Sequence, residues 1–190
     1  EYVLLNGNQT LSLIMAYQLT RWSELGRLDG KEFVVKTIVT SQMPNVMAAH
    51  FGVKCYDCLT GFKYIARIIR NNEGKATYIG GGEESFGYLA GDFVRDKDAV
   101  SACSLVAEAA WTRDTMGLTL YEWLQKLYVE FGFFREGLVS VVRKGMEGAA
   151  EIQQMMVDYR ADPPREIAGS PVVKINDFKL LESTDVRTGA

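Results

Sequence analysis

The chain has 190 residues, 47% of them hydrophobic, enough to bury roughly 70% of the surface its unfolded form would expose. Its 21 basic and 24 acidic residues leave a net charge of −3 and are spread along the sequence, which excludes the basic stripe that holds a nucleic-acid backbone. The longest apolar runs, residues 11–17 and 99–111, are too short to cross a bilayer, and the second contains Glu108, so no membrane partner is expected.

The sequence opens at Glu1 without an initiator methionine or signal-peptide pattern and enters a strand-like run at residues 2–5, so a section of a longer polypeptide is expected. Asn8 is a candidate cap for a helix whose Leu11, Ile14, Met15, Leu19, Trp22 and Leu25 recur at three and four, with Gly26 and Gly30 ending it. Residues 33–40 are rich in β-branched side chains and predict a buried strand. A short helix follows with Met43, Val46, Met47 and His50 on one stripe. Residues 53–59 predict a second strand. The next helix carries Phe62, Ile65, Ala66 and Ile69 and stops at the turn signal of Asn71, Asn72 and Gly74. Residues 76–79 predict a third strand. Strands alternating with helices of this length argue for parallel pairing, hence an α/β class.

A long helix is predicted over residues 97–113, apolar nearly all round and therefore expected to be buried in a layer or interface. Thr119 with Glu122 makes a capping box for a helix striped by Leu120, Leu124, Leu127 and Phe131 and ended by Gly132. A boundary is placed there, giving units 1–131 and 132–190. The second unit reads as a truncated β-α-β: a strand at 138–143, a helix at 146–160, the Pro163 and Pro164 break, a strand at 172–176 and a polar tail. It is too small to hold a core alone.

Three cysteines form an odd set, and Cys55 with Cys58 has the spacing of a redox or half-zinc pair. On a strand, positions three apart face opposite ways, and no second ligand pair exists, so ordinary thiols are expected, in keeping with a cytoplasmic protein. His50, the single histidine, sits on an apolar stripe and offers no serine triad.

In a parallel sheet, ligands bind beyond the carboxyl ends of the strands. That rule selects three loops: Thr40 and Ser41; Thr60, Gly61 and Lys63; and residues 80–87, GGGEESFG. The three glycines are expected to supply positive φ and close backbone approach, while Glu83, Glu84 and Ser85 offer acceptors and one hydroxyl. Such a tip suits sugar hydroxyls, which give a carboxylate short charge-assisted bonds, and repels phosphate. Spacing excludes a dinucleotide fingerprint, a nucleophile elbow and a Walker loop, but alone it leaves a solvated turn open.

At this loop the sequence resembles the α-D-phosphohexomutase superfamily of phosphoglucomutases and phosphomannomutases. The resemblance rests on GGEESFG at 81–87, RDKD at 95–98, VTS at 39–41, LTGFK at 59–63 and NGN at 6–8, in that family's order. It covers residues 6 to about 131 with the third mutase domain, a three-layer α/β/α sandwich with a small, mixed, mostly parallel sheet. The tail from Phe133 resembles the opening of the fourth domain. The full form of the loop is more similar to the phosphoglucomutase type, with its phosphopentomutase-like relatives, than to the bacterial dual-specificity type.

The resemblance implies that Glu83 and Ser85 bind sugar hydroxyls with Glu84 in support, that Thr60, Gly61, Lys63 and Ser41 complete the substrate wall, and that Lys97 contacts the phosphosugar or transfers a proton. It further implies transfer between the 1- and 6- (or 5-) positions through a phosphoserine and a bisphosphorylated sugar, with Mg2+ held elsewhere. The family's serine nucleophile, aspartate-rich metal and phosphate loops are not in this sequence, so the partners expected are a phosphosugar and the other mutase domains, and the chain alone is expected to be inert. A non-catalytic sugar-binding or regulatory module, or a structural module built on the apolar 99–111 helix, remains an alternative.

Overall fold

The structure, a computed structural model, describes residues 2–137, 141–180 and 182–189. The chain divides into two compact units, Glu1–Glu136 and Gly137–Ala190.

In the first unit, helix α1 (Gly7–Glu24) is capped by Asn6, not Asn8: Asn6 Oδ1 accepts from Gln9 N, and the Gln9 side chain accepts from Asn6 N, both at 2.9 Å. Both asparagines flank Gly7, and the reciprocal bond that only a residue three positions on can return selects Asn6. Strand β1 (Glu32–Thr37), helix α2 (Met43–His50), strand β2 (Lys54–Cys58) and helix α3 (Phe62–Asn72) follow near their predicted places. Strand β3 (Thr77–Gly82) runs three residues past the predicted strand, through all three glycines, and is followed by strand β4 (Tyr88–Ala90), which the sequence does not announce. Helices α4 (Ala99–Asp114) and α5 (Leu120–Phe131) complete the unit.

The sheet order is β2-β1-β3-β4, with β1 parallel to both β2 and β3, and β3 antiparallel to β4. Alternation along β1 builds two cores. Val34 joins α1, α2, α4 and α5 on one face, while Phe33 and Val35 join Phe62, Ile65 and Ile69 of α3 on the other. The result is a three-layer α/β/α arrangement on a mostly parallel four-stranded sheet. Its three parallel carboxyl ends lie on one edge.

Glycines 80–82 serve packing rather than conformation. None has positive φ. A Cβ on Gly81 would lie 2.2 Å from Val35 O, and one on Gly80 would lie 2.4 Å from Gln18 Oε1. The sequence reading of these residues as a positive-φ loop is therefore corrected. Around them, Gln18 donates to Ile79 O at 3.3 Å and accepts from the Tyr88 hydroxyl, and the Tyr78 hydroxyl donates to Leu89 O at 3.2 Å.

Helix α4 also departs from expectation. Only Ala109 is buried along it, with Ala102, Leu105 and Val106 partly so, and Trp111 is 70% exposed. Its small apolar residues give it no wide stripe to bury against one layer. In α2, Met43 and Met47 are buried whereas Val46 and His50 are exposed, and the His50 ring packs edge-on against Phe51 and Phe131. Cys55 packs into one core and Cys58 against the other, both as free thiols. Burial pushes the Cys55 thiol up to about 12 and the Cys58 thiol up to about 11. The thiols stay neutral and unreactive at ordinary pH.

The second unit holds helix α6 (Gly145–Ala161) and two antiparallel pairs: β5 (Glu166–Ile167) with β6 (Ser170–Pro171), and β7 (Lys174–Asp177) with β8 (Glu182–Asp185). Of the strand predicted at 138–143, residues 138–140 lie outside the described residues and 141–143 are not strand. The expected polar tail instead forms β8. The Arg160 side chain donates to Asp177 at 2.7 Å and ties the helix to β7.

Candidate functional site

The rim at the carboxyl ends is assembled by hydrogen bonds between loops distant in sequence. The β3–β4 turn, residues 83–87, is closed by Glu83 N donating to Gly87 O at 2.8 Å. Glu83 Oε1 accepts from Gly61 N at 3.0 Å, reaching across to the β2–α3 loop. Gly61 has φ 109°, a conformation open to glycine, and as the N-cap of α3 it spends a helix-start N–H on this carboxylate. Glu84 Oε2 lies 3.0 Å from the Thr37 hydroxyl and 3.2 Å from that of Thr40, and the two hydroxyls lie 2.7 Å apart. Two hydroxyl protons thus serve three contacts, and Glu84 is a half-buried tie between the β1 and β3 ends. Neither carboxylate forms an ion pair among the described residues.

Ser85 and Phe86 form the exposed tip. Gly87 is what brings Lys97 alongside. A Cβ at Gly87 would lie 2.8 Å from Lys97 Cδ and 3.0 Å from Glu83 Oε2, so the lysine stem and the carboxylate flank the same glycine. Lys97 lies before α4, not in it; its ammonium sits 3.2 Å from Asp96 Oδ1 and 5.4 Å from the Phe62 ring centroid. The Lys97 backbone N–H, and then its ammonium, donate to the Asp96 carboxylate and hold its pKa below the usual range.

The other predicted residues are distributed unevenly. Thr60 and Lys63 flank Gly61 and are exposed, with the Lys63 ammonium 5.1 Å from the Tyr64 ring centroid. Ser41 is 3% exposed: its N–H donates to Asn8 Oδ1 at 2.8 Å and its hydroxyl accepts from Met43 N at 3.2 Å. It braces the start of α2, with its hydroxyl turned toward Met43 N and shielded from the surface. Asn8, relieved of capping, supplies that brace.

Sequence reasoning missed Lys36. Its side chain is fully buried, yet its ammonium meets Asp57 Oδ1 at 2.8 Å, Thr40 O at 3.3 Å and Thr37 O at 3.4 Å. A buried charge is tolerable only when paired and bonded in this way. Lys36 thereby fixes the backbone that aims the Thr37 and Thr40 hydroxyls at Glu84. The signal was available: Lys36 and Asp57 carry opposite charges at facing positions of adjacent strands. Among the described residues no group of three or more His, Cys, Asp or Glu side chains gathers within reach of one metal ion. No described helix is long and apolar enough to cross a membrane.

This chain is similar to phosphoglucomutases of Staphylococcus aureus, strains N315 and Mu50, each 35% identical over 177 residues, covering 93% of this chain and 31% of the relative. The chain thus spans about a third of the length of the curated relatives it matches. Among solved structures, it is similar in fold to a phosphomannomutase of Thermus thermophilus (TM-score 0.53, 20% identity, 67% of this chain and 26% of that one). It is likewise similar to the open form of the Paramecium phosphoglucomutase pp63/parafusin (TM-score 0.59, 16% identity, 96% of this chain and 31% of that one). Residues 6–131, more than half of the chain and every element of the rim, match the family described as phosphoglucomutase/phosphomannomutase, alpha/beta/alpha domain III, and the chain belongs to that family.

Proposed function

We propose that the chain is the sugar-reading section of a phosphosugar mutase that moves a phosphoryl group between the 1- and 6- (or 5-) positions of a sugar through an enzyme phosphoserine and a bisphosphorylated intermediate. The observation that carries this reading is the use of the Glu83 carboxylate. One oxygen is spent on Gly61 N, which fixes the group, and the other lies beside Gly87 and the Lys97 stem, in the turn that carries the exposed Ser85. A fixed carboxylate accepts hydrogen bonds from sugar hydroxyls without reacting, and the Ser85 hydroxyl can donate or accept. Lys97, whose stem flanks Gly87, contacts the phosphosugar or moves a proton to or from the sugar hydroxyl that exchanges the phosphoryl group. Glu84 acts through position, since its oxygen is committed to Thr37 and Thr40.

In this reading the phosphoserine and Mg2+ belong to other domains of the same polypeptide, the protein is cytoplasmic, and the chain alone turns nothing over. The second unit is read as the opening of the following mutase domain, supported by a similarity to the Staphylococcus relatives that covers 93% of the chain, beyond residue 131. The test is Glu83→Gln with Ser85→Ala in a polypeptide carrying this chain with the remaining mutase domains. Loss of charge-assisted bonds should cost about 1 to 3 kcal/mol of transition-state stabilisation, a roughly 5- to 150-fold fall in kcat/KM. An unchanged kcat/KM would remove the reading.

A further inference from the structure

Two features of Phe86 cost the fold rather than stabilise it. The residue is 65% exposed, so its ring gains little from burial. Its φ is 67°, a left-handed conformation that a Cβ disfavours and that, among the described residues other than glycine, only Ala168 shares. The turn that imposes this conformation is pinned from both sides. Glu83 N donates to Gly87 O at 2.8 Å, and the backbone of Gly7 presses so closely that a Cβ there would lie 1.6 Å from Glu84 O and 3.3 Å from Phe86 N. Strain held this firmly by its surroundings is characteristic of ligand-gripping loops.

Phe86 stands between the exposed Ser85 and Gly87, in the turn that carries Glu83. The hydroxyls of a hexopyranose radiate from the edge of the ring, where a carboxylate and a serine can read them. Its faces carry axial C–H bonds, which need an apolar partner. Sugar sites combine a few polar groups with aromatic surface for this reason. Resting on the sugar-binding reading above, we infer that Phe86 is a specificity-determining residue that stacks on the C–H face of a hexopyranose held at its edge by Glu83 and Ser85. The ligand class that follows is a phosphosugar with open ring faces, as in the glucose configuration. The mannose configuration, with its axial 2-hydroxyl, crowds one face.

The test titrates the chain with glucose 1-phosphate, mannose 1-phosphate and inorganic phosphate, following protein amides and sugar ring protons by NMR. Phe86→Asn removes the ring while keeping a residue that tolerates left-handed backbone, Phe86→Trp restores an aromatic face, and Phe93→Ala removes another exposed aromatic outside the turn. Glucose 1-phosphate should move the amides of residues 83–87 and show upfield-shifted ring protons. Phe86→Asn should abolish the upfield shifts, weaken binding about 3- to 10-fold and narrow the preference for glucose over mannose. Phe86→Trp should restore all three, and Phe93→Ala and inorganic phosphate should do nothing. Binding that depends on Glu83, shown by Glu83→Gln, but is indifferent to Phe86→Asn would overturn the stacking role alone. Absence of any sugar-dependent change at residues 83–87 would overturn the sugar-binding reading and the stacking role with it.

Discussion

The two units of the chain handle apolar residues in opposite ways. Among the described residues, every buried hydrophobic side chain belongs to the first unit, where each face of the sheet has helices to cover it. In the second, only Gly148 is buried among the described residues, and Met156, Tyr159, Ile167, Phe178 and Leu180 line an open groove of about 660 Å3. The lengths are comparable in the helices but not in the strands, which run to six residues in the first unit and to four in the second. The contrast teaches that layering, not helix content, makes the rigid platform on which the rim is built.

The sharpest way to break this contrast is to add a methyl group in each unit. Gly81→Ala places a Cβ 2.2 Å from Val35 O and 2.8 Å from the Tyr78 hydroxyl oxygen, against backbone that cannot give way. It should cost about 3 kcal/mol in chemical denaturation of the first unit. Gly137→Ala, which meets nothing within 4 Å, should stay within about 0.5 kcal/mol. Equal effects would mean that the two units are packed alike.

Alkali separates them next. Burial raises Cys55 to about 12 and Cys58 to about 11 from an ordinary value of 9.0, and raises Tyr78 and Tyr88 as well. These groups are neutral when protonated, so the folded state binds their protons more tightly than the unfolded chain. Their contribution to stability is complete below about pH 9 and is lost as pH rises through 11 to 12. Thermal melts followed by near-ultraviolet signals should show the first unit losing stability from pH 9 to 11. A melting temperature flat over that range would contradict the burial of these groups. A small effect is expected from the second unit's ion pair: Arg160→Ala removes a partly exposed pair with Asp177 and should cost about 0.2 to 1 kcal/mol. A larger loss, read from helix signals, would show α6 to be more firmly held than its exposure suggests.

Sequence alone revealed what is decided locally. The Thr119–Glu122 capping box and the Gly132 stop are set by residues within a few positions, and α5 falls where they place it. The alternation of strands and helices likewise gave the parallel sheet. What stayed hidden depends on remote partners. The packing role of Gly80 and Gly81 needs Gln18 and Val35, the burial of Ser41 needs Asn8, and the pairing of Lys36 needs Asp57. Strand β4, three residues long, is too short for periodicity to register. At the rim, the acidic tip was legible as chemistry, but the division of labour between Glu83 and Glu84 was not, because it is written in bonds to Gly61, Thr37 and Thr40.

In the proposed function, the first unit holds Glu83 so that its unspent oxygen and Ser85 meet sugar hydroxyls. The Gly61 amide, bonded to that carboxylate at 3.0 Å, reports on it directly. In amide NMR spectra of the whole chain, saturating glucose 1-phosphate should shift Gly61 together with Ser85 and Gly87, and Glu83→Gln should abolish the shift at Gly61. A response confined to the second unit, or a Gly61 shift that survives Glu83→Gln, would contradict the account.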